Sequence, residues 1–572
     1  MVGDRTKNED HIMYCDKENV NILTALLVAH GIKDIVVCPG SRNAPLVHNF
    51  NECPELTCHA VTDERSAAFF ALGIRQQKGL PVAVCVTSGS ALLNLLPGVA
   101  EAAYQQQGII VISADRPEAW IGQLDGQTIP QPMALGTFVK KSVSLPEAID
   151  KEQRWLCNRL VNEALMEAFS PESPSVHINV PISEPLFSFT TERLPKERKV
   201  ERLYSFSTVL EKLHNTLRSM IVFGQTPSVV PERVIKALQE RFVVLYEPLS
   251  TDSRELSFLD QMMFAIEGKA EPYTPDCVVY FGGNTISKRL RHYLRNLPSS
   301  TLHITVSEDG LLHDTSMNTR YVVQSPLFAA INEIIEGERL KEEGSDTRRT
   351  QFLNLWNSLR CRIEERHKAF TPEYSQMLVV KRFEETVVKE NDIIYFANSM
   401  AIRLAAIYSQ HHVFCNRGIN GIEGSMSVAV GAARALEQEG KEGRIFCVIG
   451  DLSFFYDNNA LWQQELPKNI RILLLNNGGG GIFRNLPGLD SSPASQKYVS
   501  ASHSSSASGI CLQNGVAYLR ASDCDSLEES LRILSSSSSP TLLEAFSSQE
   551  TDRNEYKKYY NNFKGLMKNS VF

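Results

Sequence analysis

The stretch Gly450–Phe483, GDLSFFYDNNALWQQELPKNIRILLLNNGGGGIF, decides the fold of the chain. The apolar run IFCVIG leads into it. After that run come a helical pattern, NNALWQQEL, then a break at Pro467, and then a second apolar run, IRILLL. This order predicts a β-α-β unit with parallel strands. Both strands then finish at one sheet edge, which is where open α/β sheets bind ligands. We therefore expect Asp451 and Asn477 to lie side by side.

The side chains predicted at this edge suit a divalent cation and a diphosphate. A carboxylate from Asp451 and an amide oxygen from Asn477 are hard ligands of the kind that Mg²⁺ prefers, together with phosphate oxygens. The following glycines let the backbone approach a diphosphate closely, and a carbonyl such as that of Gly479 can join the metal. Taken alone, Gly450-Asp451 could be only a strand end, and NNGGGG only a flexible turn. Their spacing on one β-α-β unit favours a binding site.

The stretch resembles the motif of thiamine diphosphate (ThDP) enzymes, in which GDG is followed, one β-α-β crossover later, by NN. The third position departs from that motif because it holds Leu452 instead of glycine. Within these enzymes, GDLS followed by Tyr-Asp and Asn-Ala-Leu is similar to the menaquinone-pathway synthase family that makes 2-succinyl-5-enolpyruvyl-6-hydroxy-3-cyclohexene-1-carboxylate (SEPHCHC). The resemblance extends in consistent order from about residue 15 to about residue 550.

Composition and charge limit the class of protein. A chain of 572 residues is too long for one core, so two to four domains are expected. Its net charge of −8 argues against a general nucleic-acid binder. The 12 cysteines show no zinc spacing, which favours reduced thiols and a cytoplasmic location. No signal-peptide core is visible, and no apolar run reaches the roughly 20 residues of a membrane span.

Two charged segments, 190–205 and 335–350, divide the chain into predicted domains. Repeated strand–turn–helix patterns predict an α/β fold with three doubly wound α/β domains, and the resemblance implies that these are of the ThDP-enzyme type. Those domains are a pyrimidine-binding domain over residues 1–190, a middle domain over 206–335 and a diphosphate-binding domain over 350–572. We expect no FAD in the middle domain because Gly282-Gly283-Asn284 lacks the GxGxxG order.

In the first domain, PGSR, TDER, TSGSALLN and SADRP occur in the order seen in pyrimidine-binding domains. An acidic residue at a helix start is usually only favoured by the helix dipole, but the resemblance gives Glu64 a role in activating the cofactor's aminopyrimidine. Gln127 lies in the loop DGQTIPQPMALGTF, where the matching glutamine of the synthases reaches the active site; the alternative is a surface amide.

In the last domain, Ser399 forms a capping turn before a helix that carries Arg403. Ile422 stands where these enzymes place an apolar wedge that holds the cofactor in its bent conformer. The resemblance implies catalytic roles for Glu64, Gln127, Ser399 and Arg403. It implies cofactor contacts from Glu64, Ser399, Gly421, Ile422, Gly450, Asp451, Leu452, Ser453, Asn477, Gly479, Ile482 and Phe483, and metal contacts from Asp451, Asn477 and Gly479.

The matched positions also supply positive charge and polar groups for anionic substrates, because Arg and Lys pair well with carboxylates. The implied substrate-binding residues are Ser41, Arg42, Arg116, Lys288, Arg289, Arg403 and Arg417. The resemblance implies ThDP- and Mg²⁺- or Mn²⁺-dependent decarboxylation of 2-oxoglutarate, and addition of the resulting succinyl semialdehyde–ThDP carbanion to isochorismate, giving SEPHCHC and CO₂. It also implies a homodimer or homotetramer with active sites at the subunit interface.

Two other functions remain open from the sequence. One is a different ThDP-dependent 2-oxo acid decarboxylase or carboligase, such as an acetolactate synthase, which pyruvate turnover would reveal. The other is a ThDP-fold protein that acts only as a binding partner, which the presence of Glu64, Asp451 and Asn477 disfavours. The Ser-rich chain after Phe483 is expected to be solvent-facing or mobile, and the residues after the strand TLLEAF are expected to form an exposed charged tail.

Overall fold

The computed structural model describes residues 12–339, 347–481 and 488–566. They contain three six-stranded parallel sheets with helices around them, so the predicted α/β class is confirmed. By compactness the chain divides into two units. The first contains the described residues up to Ser205 together with Asp309–Gln324, and the second contains Phe206–Glu308 and the described residues from Ser325 onward.

The first sheet has the strand order β2-β1-β3-β4-β6-β5, with every pair parallel. Its strands are β1 (Asp34–Val37), β2 (Thr57–Ala60), β3 (Ala83–Val86), β4 (Ile110–Asp115), β5 (Lys141–Ser144) and β6 (Val176–Pro181). Its helices are α1 (Glu18–Ala29), α2 (Ala44–Glu52), α3 (Glu64–Lys78), α4 (Ser90–Asn94), α5 (Leu96–Tyr104) and α6 (Lys151–Ala168). Buried apolar clusters cover both faces of this sheet, as the continuous hydrophobic strands predict.

The second sheet also has six strands. Its strands are β7 (Glu201–Leu203), β8 (Ser219–Phe223), β9 (Val243–Leu245), β10 (Cys277–Phe281), β11 (Leu302–Ser307) and β12 (Thr319–Gln324). The accompanying helices are α7 (Ser207–His214), α8 (Glu232–Gln239), α9 (Leu259–Ala265), α10 (Lys288–Arg295) and α11 (Leu327–Arg339). Strands β7 and β12 pair in the first unit, and the second unit holds the order β11-β10-β8-β9.

The third sheet has the order β14-β13-β15-β16-β18-β17 and lies wholly in the second unit. Its strands are β13 (Ile393–Phe396), β14 (Val413–Phe414), β15 (Ile445–Gly450), β16 (Ile470–Asn476), β17 (Ala517–Ala521) and β18 (Thr541–Phe546). Its helices are α12 (Thr347–Ala369), α13 (Gln376–Thr386), α14 (Met400–Tyr408), α15 (Ser425–Gln438), α16 (Asp451–Tyr456), α17 (Ser508–Gln513), α18 (Cys524–Ser536) and α19 (Gln549–Asn561). No helix in the described ranges is long and apolar enough to cross a membrane.

The helix at the C-terminal end contradicts one expectation from the sequence. The sequence predicts an exposed charged tail after β18, but these residues form α19, which packs into the core of the second unit. Tyr559 and Phe563 are fully buried, and Tyr560 is 5% exposed. The helix has this inward face because its aromatic residues recur at helical spacing between its charged residues.

Candidate cofactor and substrate site

The central β-α-β unit brings the predicted pair together. Strands β15 and β16 are parallel, with Gly450 opposite Leu475, so the residues that follow them emerge at one sheet edge. The Asp451 carboxylate joins the two strand ends: its Oδ2 atom accepts the backbone N–H groups of Asn477 at 3.1 Å and Gly479 at 2.9 Å. The side-by-side arrangement of Asp451 and Asn477 expected from the sequence is therefore confirmed.

The helix of this unit starts earlier than the hydrophobic pattern indicates. Helix α16 begins at Asp451, directly after the strand, whereas Asn458–Leu461 forms only a 3-10 turn. The reason is that Phe454 is fully buried and anchors the first turn, whereas residues 462–465 are all exposed, so no packing stabilises a helix beyond Leu461. As a result, Asp451 occupies the first turn of a helix, where backbone N–H groups face a carboxylate; its Oδ1 atom accepts the N–H of Leu452 at 2.7 Å.

A cavity of about 110 Å³ lies at this sheet edge. Eight of the predicted cofactor residues line it: Ser399, Ile422, Gly450, Asp451, Leu452, Ser453, Asn477 and Gly479. Gly421 lies behind the wall, where its carbonyl accepts a hydrogen bond from Asn398 Nδ2 at 2.7 Å. Ile482 and Phe483 lie outside the described residues. The cavity thus gathers residues from four separate segments. The β-α-β pattern connects the segments of Asp451 and Asn477, whereas only the resemblance connects those of Ser399 and Ile422 to them.

The donor set of the cavity fits a hard cation held together with a diphosphate. Asp451 Oδ1 accepts a single hydrogen bond, so a carboxylate lone pair remains for a metal. Among the described residues, no cluster of three His, Cys, Asp or Glu side chains could hold a metal alone, so a cation here would need amide, carbonyl and phosphate oxygens in addition to the Asp451 carboxylate. Burial raises the pKa of the Asp451 carboxyl, and the N–H groups of Gly479 and Leu452 oppose that rise.

The Ser-rich segment contributes to this site, although no motif in it predicts a role. Its described part packs on residues 477–481, here called the glycine loop. Gly480 N–H donates to the Ser500 carbonyl at 2.7 Å, and His503 N–H donates to the Gly478 carbonyl at 3.0 Å. The imidazole of His503 stands 3.4 Å from the Asp451 carboxylate. A side chain at Gly479, which has a φ of +148°, would meet the Ser500 carbonyl at 2.7 Å, so the close packing requires glycine there.

A second cavity, of about 400 Å³, adjoins the first through the shared wall residue Met400. Three of its lining residues are predicted substrate-binding cations, namely Lys288, Arg289 and Arg403. Arg403 Nη1 donates to the Ser399 carbonyl at 2.5 Å. Ser399 has a φ of +73°, a conformation that costs a non-glycine residue energy and that concentrates at functional sites.

For two further polar residues of the second unit, the structure differs from what the sequence predicts. Arg417 lines neither cavity; it is buried and donates to Asn398 Oδ1 at 3.0 Å and to the Thr285 carbonyl at 2.9 Å. Glu247 was missed, although an acidic residue directly after the apolar β9 pattern is the available signal. It lines the second cavity and accepts the N–H groups of Ile286 at 2.6 Å and Ser287 at 2.8 Å, and burial raises its pKa to about 7.

In the first unit, the predicted residues follow the carboxyl ends of three parallel strands, β1, β2 and β4, of the first sheet. Ser41 comes shortly after β1, Glu64 after β2 and Arg116 directly after β4. Glu64 is half-buried at the first position of α3, whose cap is the side chain of Asp63. Burial raises the pKa of Cys38, the residue after β1, to about 12, and the nearby Glu64 carboxylate adds to that rise.

The two arginines of this edge are already engaged with protein groups. Arg42 is buried and bonds to the Ile182 carbonyl at 3.0 Å and to Glu184 at 3.1 Å. Arg116 forms an ion pair with Asp125 at 2.6 Å and donates to Ser88 Oγ at 3.2 Å. It also donates to the carbonyl of Gln127 at 3.3 Å, which brings that exposed loop residue to the same edge.

Comparison with known proteins identifies two domain families and several similar proteins. Residues 18–135 match the thiamine pyrophosphate enzyme N-terminal TPP-binding domain, and residues 397–545 match the corresponding C-terminal TPP-binding domain. The 2-succinyl-5-enolpyruvyl-6-hydroxy-3-cyclohexene-1-carboxylate synthase of Bacteroides thetaiotaomicron is 43% identical over 96% of this chain and 100% of its own. That of Phocaeicola vulgatus is 41% identical over 96% and 99%. Benzoylformate decarboxylase from Polynucleobacter necessarius, a solved structure, aligns over 93% of this chain and 99% of its own at 14% identity, with a TM-score of 0.43.

Proposed function

The chain belongs to the family of 2-succinyl-5-enolpyruvyl-6-hydroxy-3-cyclohexene-1-carboxylate synthases, ThDP-dependent transferases of the menaquinone pathway that form a carbon–carbon bond, and from this premise we propose its substrates and the roles of its residues. The donor is 2-oxoglutarate, which loses CO₂, and the acceptor is isochorismate, to which the remaining succinyl semialdehyde unit is added. The observation that carries the proposal is the pair of adjoining cavities in the second unit, one lined by the glycine loop and the other by three cations.

The first cavity is proposed to hold the diphosphate of the cofactor and its cation. Asp451, Asn477 Oδ1 and the Gly479 carbonyl would bind Mg²⁺ or Mn²⁺, since all three are hard oxygen ligands. Ser399, Gly421, Leu452 and Ser453 would contact the cofactor, and Ile422 would set its conformation. When bound, ThDP supplies a nucleophilic carbon and an electron sink for decarboxylation.

The second cavity is proposed to bind the carboxylates of the substrates. Lys288, Arg289 and Arg403 provide three cations, whereas the acids that line the cavity are Glu247 and Asp260. Asp260 is paired with Arg289, and the raised pKa of Glu247 reduces its negative charge near neutral pH. The cavity therefore carries a net positive charge. A dicarboxylate requires that charge for binding, whereas a small monoanionic substrate does not require so much of it.

The groups of the first unit are proposed to complete the site of another copy of the chain. Glu64 of the partner subunit would hold and activate the cofactor's aminopyrimidine, with Ser41, Arg42, Arg116 and Gln127 contributing to substrate binding. Exposed apolar side chains support self-association on both units. Those of the first unit include Phe69, Phe70, Leu93 and Trp120, and those of the second include Ile419, Tyr456 and Trp462.

The decisive experiment uses the purified chain with ThDP, Mg²⁺ and 2-oxoglutarate, with and without isochorismate. The expected result is product formation only when both substrates are present, measured by mass spectrometry. Light scattering should give a dimer or tetramer. Consumption of pyruvate without isochorismate would instead assign a different 2-oxo acid substrate within the ThDP enzymes, and a monomeric active enzyme would contradict the shared site.

A further inference from the structure

Helix α19 reaches both cavities from one side. Asp552, Tyr556 and Tyr560 are spaced four residues apart, so their side chains follow one side of the helix. At 1.5 Å per residue, Asp552 and Tyr560 stand about 12 Å apart along the axis. Asp552 contacts the glycine loop of the first cavity, and Tyr556 and Tyr560 line the second. Nothing in the sequence motifs assigns a function to this helix.

Asp552 fixes the orientation of the Asn477 carboxamide. Asn477 Nδ2 donates to Asp552 Oδ2 at 2.8 Å, and the same oxygen accepts from Ser547 Oγ at 2.8 Å. The other oxygen accepts the N–H of Gln376 at 2.8 Å, which holds the carboxylate from a second direction. Because a carboxylate accepts but does not donate, it selects the amide NH₂ group and leaves Asn477 Oδ1 for the cavity. Without this acceptor the carboxamide could present either end.

Tyr560 fixes the guanidinium of Arg289 in a comparable manner. The ring of Tyr560 lies 4.8 Å from the guanidinium carbon, and the ring of Phe264 lies 5.0 Å from it. The Tyr560 hydroxyl donates to Asp260 Oδ2 at 2.8 Å, the same oxygen that accepts from Arg289 Nη1 at 2.5 Å. Arg289 is thus held by two aromatic rings and one carboxylate, which lowers the conformational entropy that it would lose on binding an anion.

We propose that α19 is a positioning element for both halves of the site: Asp552 orients Asn477 toward the cofactor's cation, and Tyr560 orients Arg289 toward the substrate. The inference rests on the proposed function and extends it to Asp552, which lines neither cavity, and to Tyr560, which acts on Arg289 from the wall of the second cavity. It has a specific consequence, because damage at the two ends of one helix should impair two different binding steps.

The test compares two variants, each with a matched control on the same helix. Asp552→Ala is paired with Glu555→Ala, since Glu555 is also buried and also accepts a backbone N–H, from Glu373 at 3.0 Å. Tyr560→Leu is paired with Tyr559→Leu, a neighbouring buried tyrosine that is hydrogen-bonded to Gln261 instead. Calorimetry gives the affinity for Mg²⁺–ThDP, steady-state kinetics gives KM and kcat for 2-oxoglutarate, and thermal melts compare stability.

Asp552→Ala should weaken Mg²⁺–ThDP binding about 10- to 100-fold, the usual effect of losing a group that orients a metal ligand, and Glu555→Ala should not. Tyr560→Leu should raise the KM for 2-oxoglutarate about 3- to 30-fold with cofactor affinity retained, and Tyr559→Leu should not. Asp552→Asn and Tyr560→Phe keep the side-chain volume and should shift the same quantities less, which provides the test if a larger change prevents folding.

The inference is overturned if either variant matches its control in the quantity assigned to it, or if both variants shift both quantities equally. Failure of the proposed function has a different signature, because the unmodified chain would then bind no ThDP or turn over no 2-oxoglutarate.

Discussion

Asp451 Oδ2 accepts the backbone N–H of Gly479 at 2.9 Å, across 28 positions of sequence. One buried carboxylate thereby ties the end of β15 to the glycine loop after β16. The contact gives the loop a defined shape before any ligand arrives, and the remaining lone pair of the same carboxylate faces the cavity. Structure and proposed chemistry depend on the same side chain, which makes it the first position to test.

Asp451→Asn is expected to weaken Mg²⁺–ThDP binding about 10- to 100-fold, because an amide cannot accept from all three backbone donors and lacks the charge. Calorimetry measures this directly. Asp523→Asn is the control, since Asp523 caps α18 at Ser526 N–H and lines neither cavity. Equal affinities for the two variants would contradict the role of Asp451.

Glu64→Gln is expected to retain Mg²⁺–ThDP binding and to lower kcat about 10²- to 10⁴-fold, the range for losing a proton-transfer group. The exchange of the cofactor's C2 proton for deuterium, followed by NMR, should slow by a similar factor. Asp63→Asn, which alters the adjacent helix cap and its exposed ion pair with Arg65, should leave that exchange unchanged. Full exchange in the Glu64 variant would remove this residue from the mechanism.

Arg289→Ala is expected to reduce kcat/KM for 2-oxoglutarate about 30- to 1,000-fold, which corresponds to about 2–4 kcal/mol for removing the partner of a substrate carboxylate held in the cavity. Arg295→Ala provides the comparison, because Arg295 lies on the same helix, α10, and is exposed outside the cavity. Steady-state kinetics on both variants measures kcat/KM for 2-oxoglutarate. Similar losses at both positions would point to general damage to the helix and not to substrate binding.

Removal of divalent cations is expected to abolish stabilisation by ThDP. At a ThDP concentration 100-fold above its Kd, binding should stabilise the native chain by about 2.7 kcal/mol, and chelation should cancel this gain. Thermal melts with ThDP in Mg²⁺, in Mn²⁺ and in excess chelator measure it. An unchanged melting temperature in chelator would mean that the cofactor binds without a cation.

Glu384 provides a pH test away from both cavities. Burial raises its pKa from 4.5 to about 8, although Ser409 Oγ donates to it at 2.5 Å. The folded chain therefore binds this proton more tightly than the unfolded chain does. The resulting stability is complete below pH 4.5 and is lost as the pH rises through the window from 4.5 to about 8.

Glu384→Gln should reduce that loss, because glutamine does not ionise. The difference in unfolding free energy between pH 5 and pH 8.5 should shrink by an amount on the order of 3–5 kcal/mol relative to the unmodified chain. Denaturant titrations at the two pH values provide the measurement. His411, which stands 3.5 Å from Glu384, has a pKa lowered by burial to about 4 and affects the acidic side of the curve in the opposite direction. Parallel pH profiles for the two proteins would exclude an ionising Glu384.

The sequence predicted the part of the site that follows strands. Apolar runs identified β15 and β16, and the polar residues directly after them had to meet at one edge because parallel strands share a direction. The same reasoning could have identified Glu247 after β9. It could not identify His503, since an isolated histidine in a Ser-rich segment has no periodicity that indicates its contacts. It also placed the helix after β15 too late, over NNALWQQEL instead of Asp451–Tyr456, because the pattern recorded apolar residues and not which of them are buried.

By itself, the sequence determined the α/β class, the strands and the edge where Asp451 and Asn477 meet, because these depend on local hydrophobic periodicity and strand direction. Only the tertiary structure decided the place of α19. The hydrogen bond from Tyr560 to Asp260 joins residues 300 positions apart, and the one from Asn477 to Asp552 joins residues 75 apart. Local pattern does not encode such pairs, because their energy arises only after the chain has collapsed and the two groups have lost their water together.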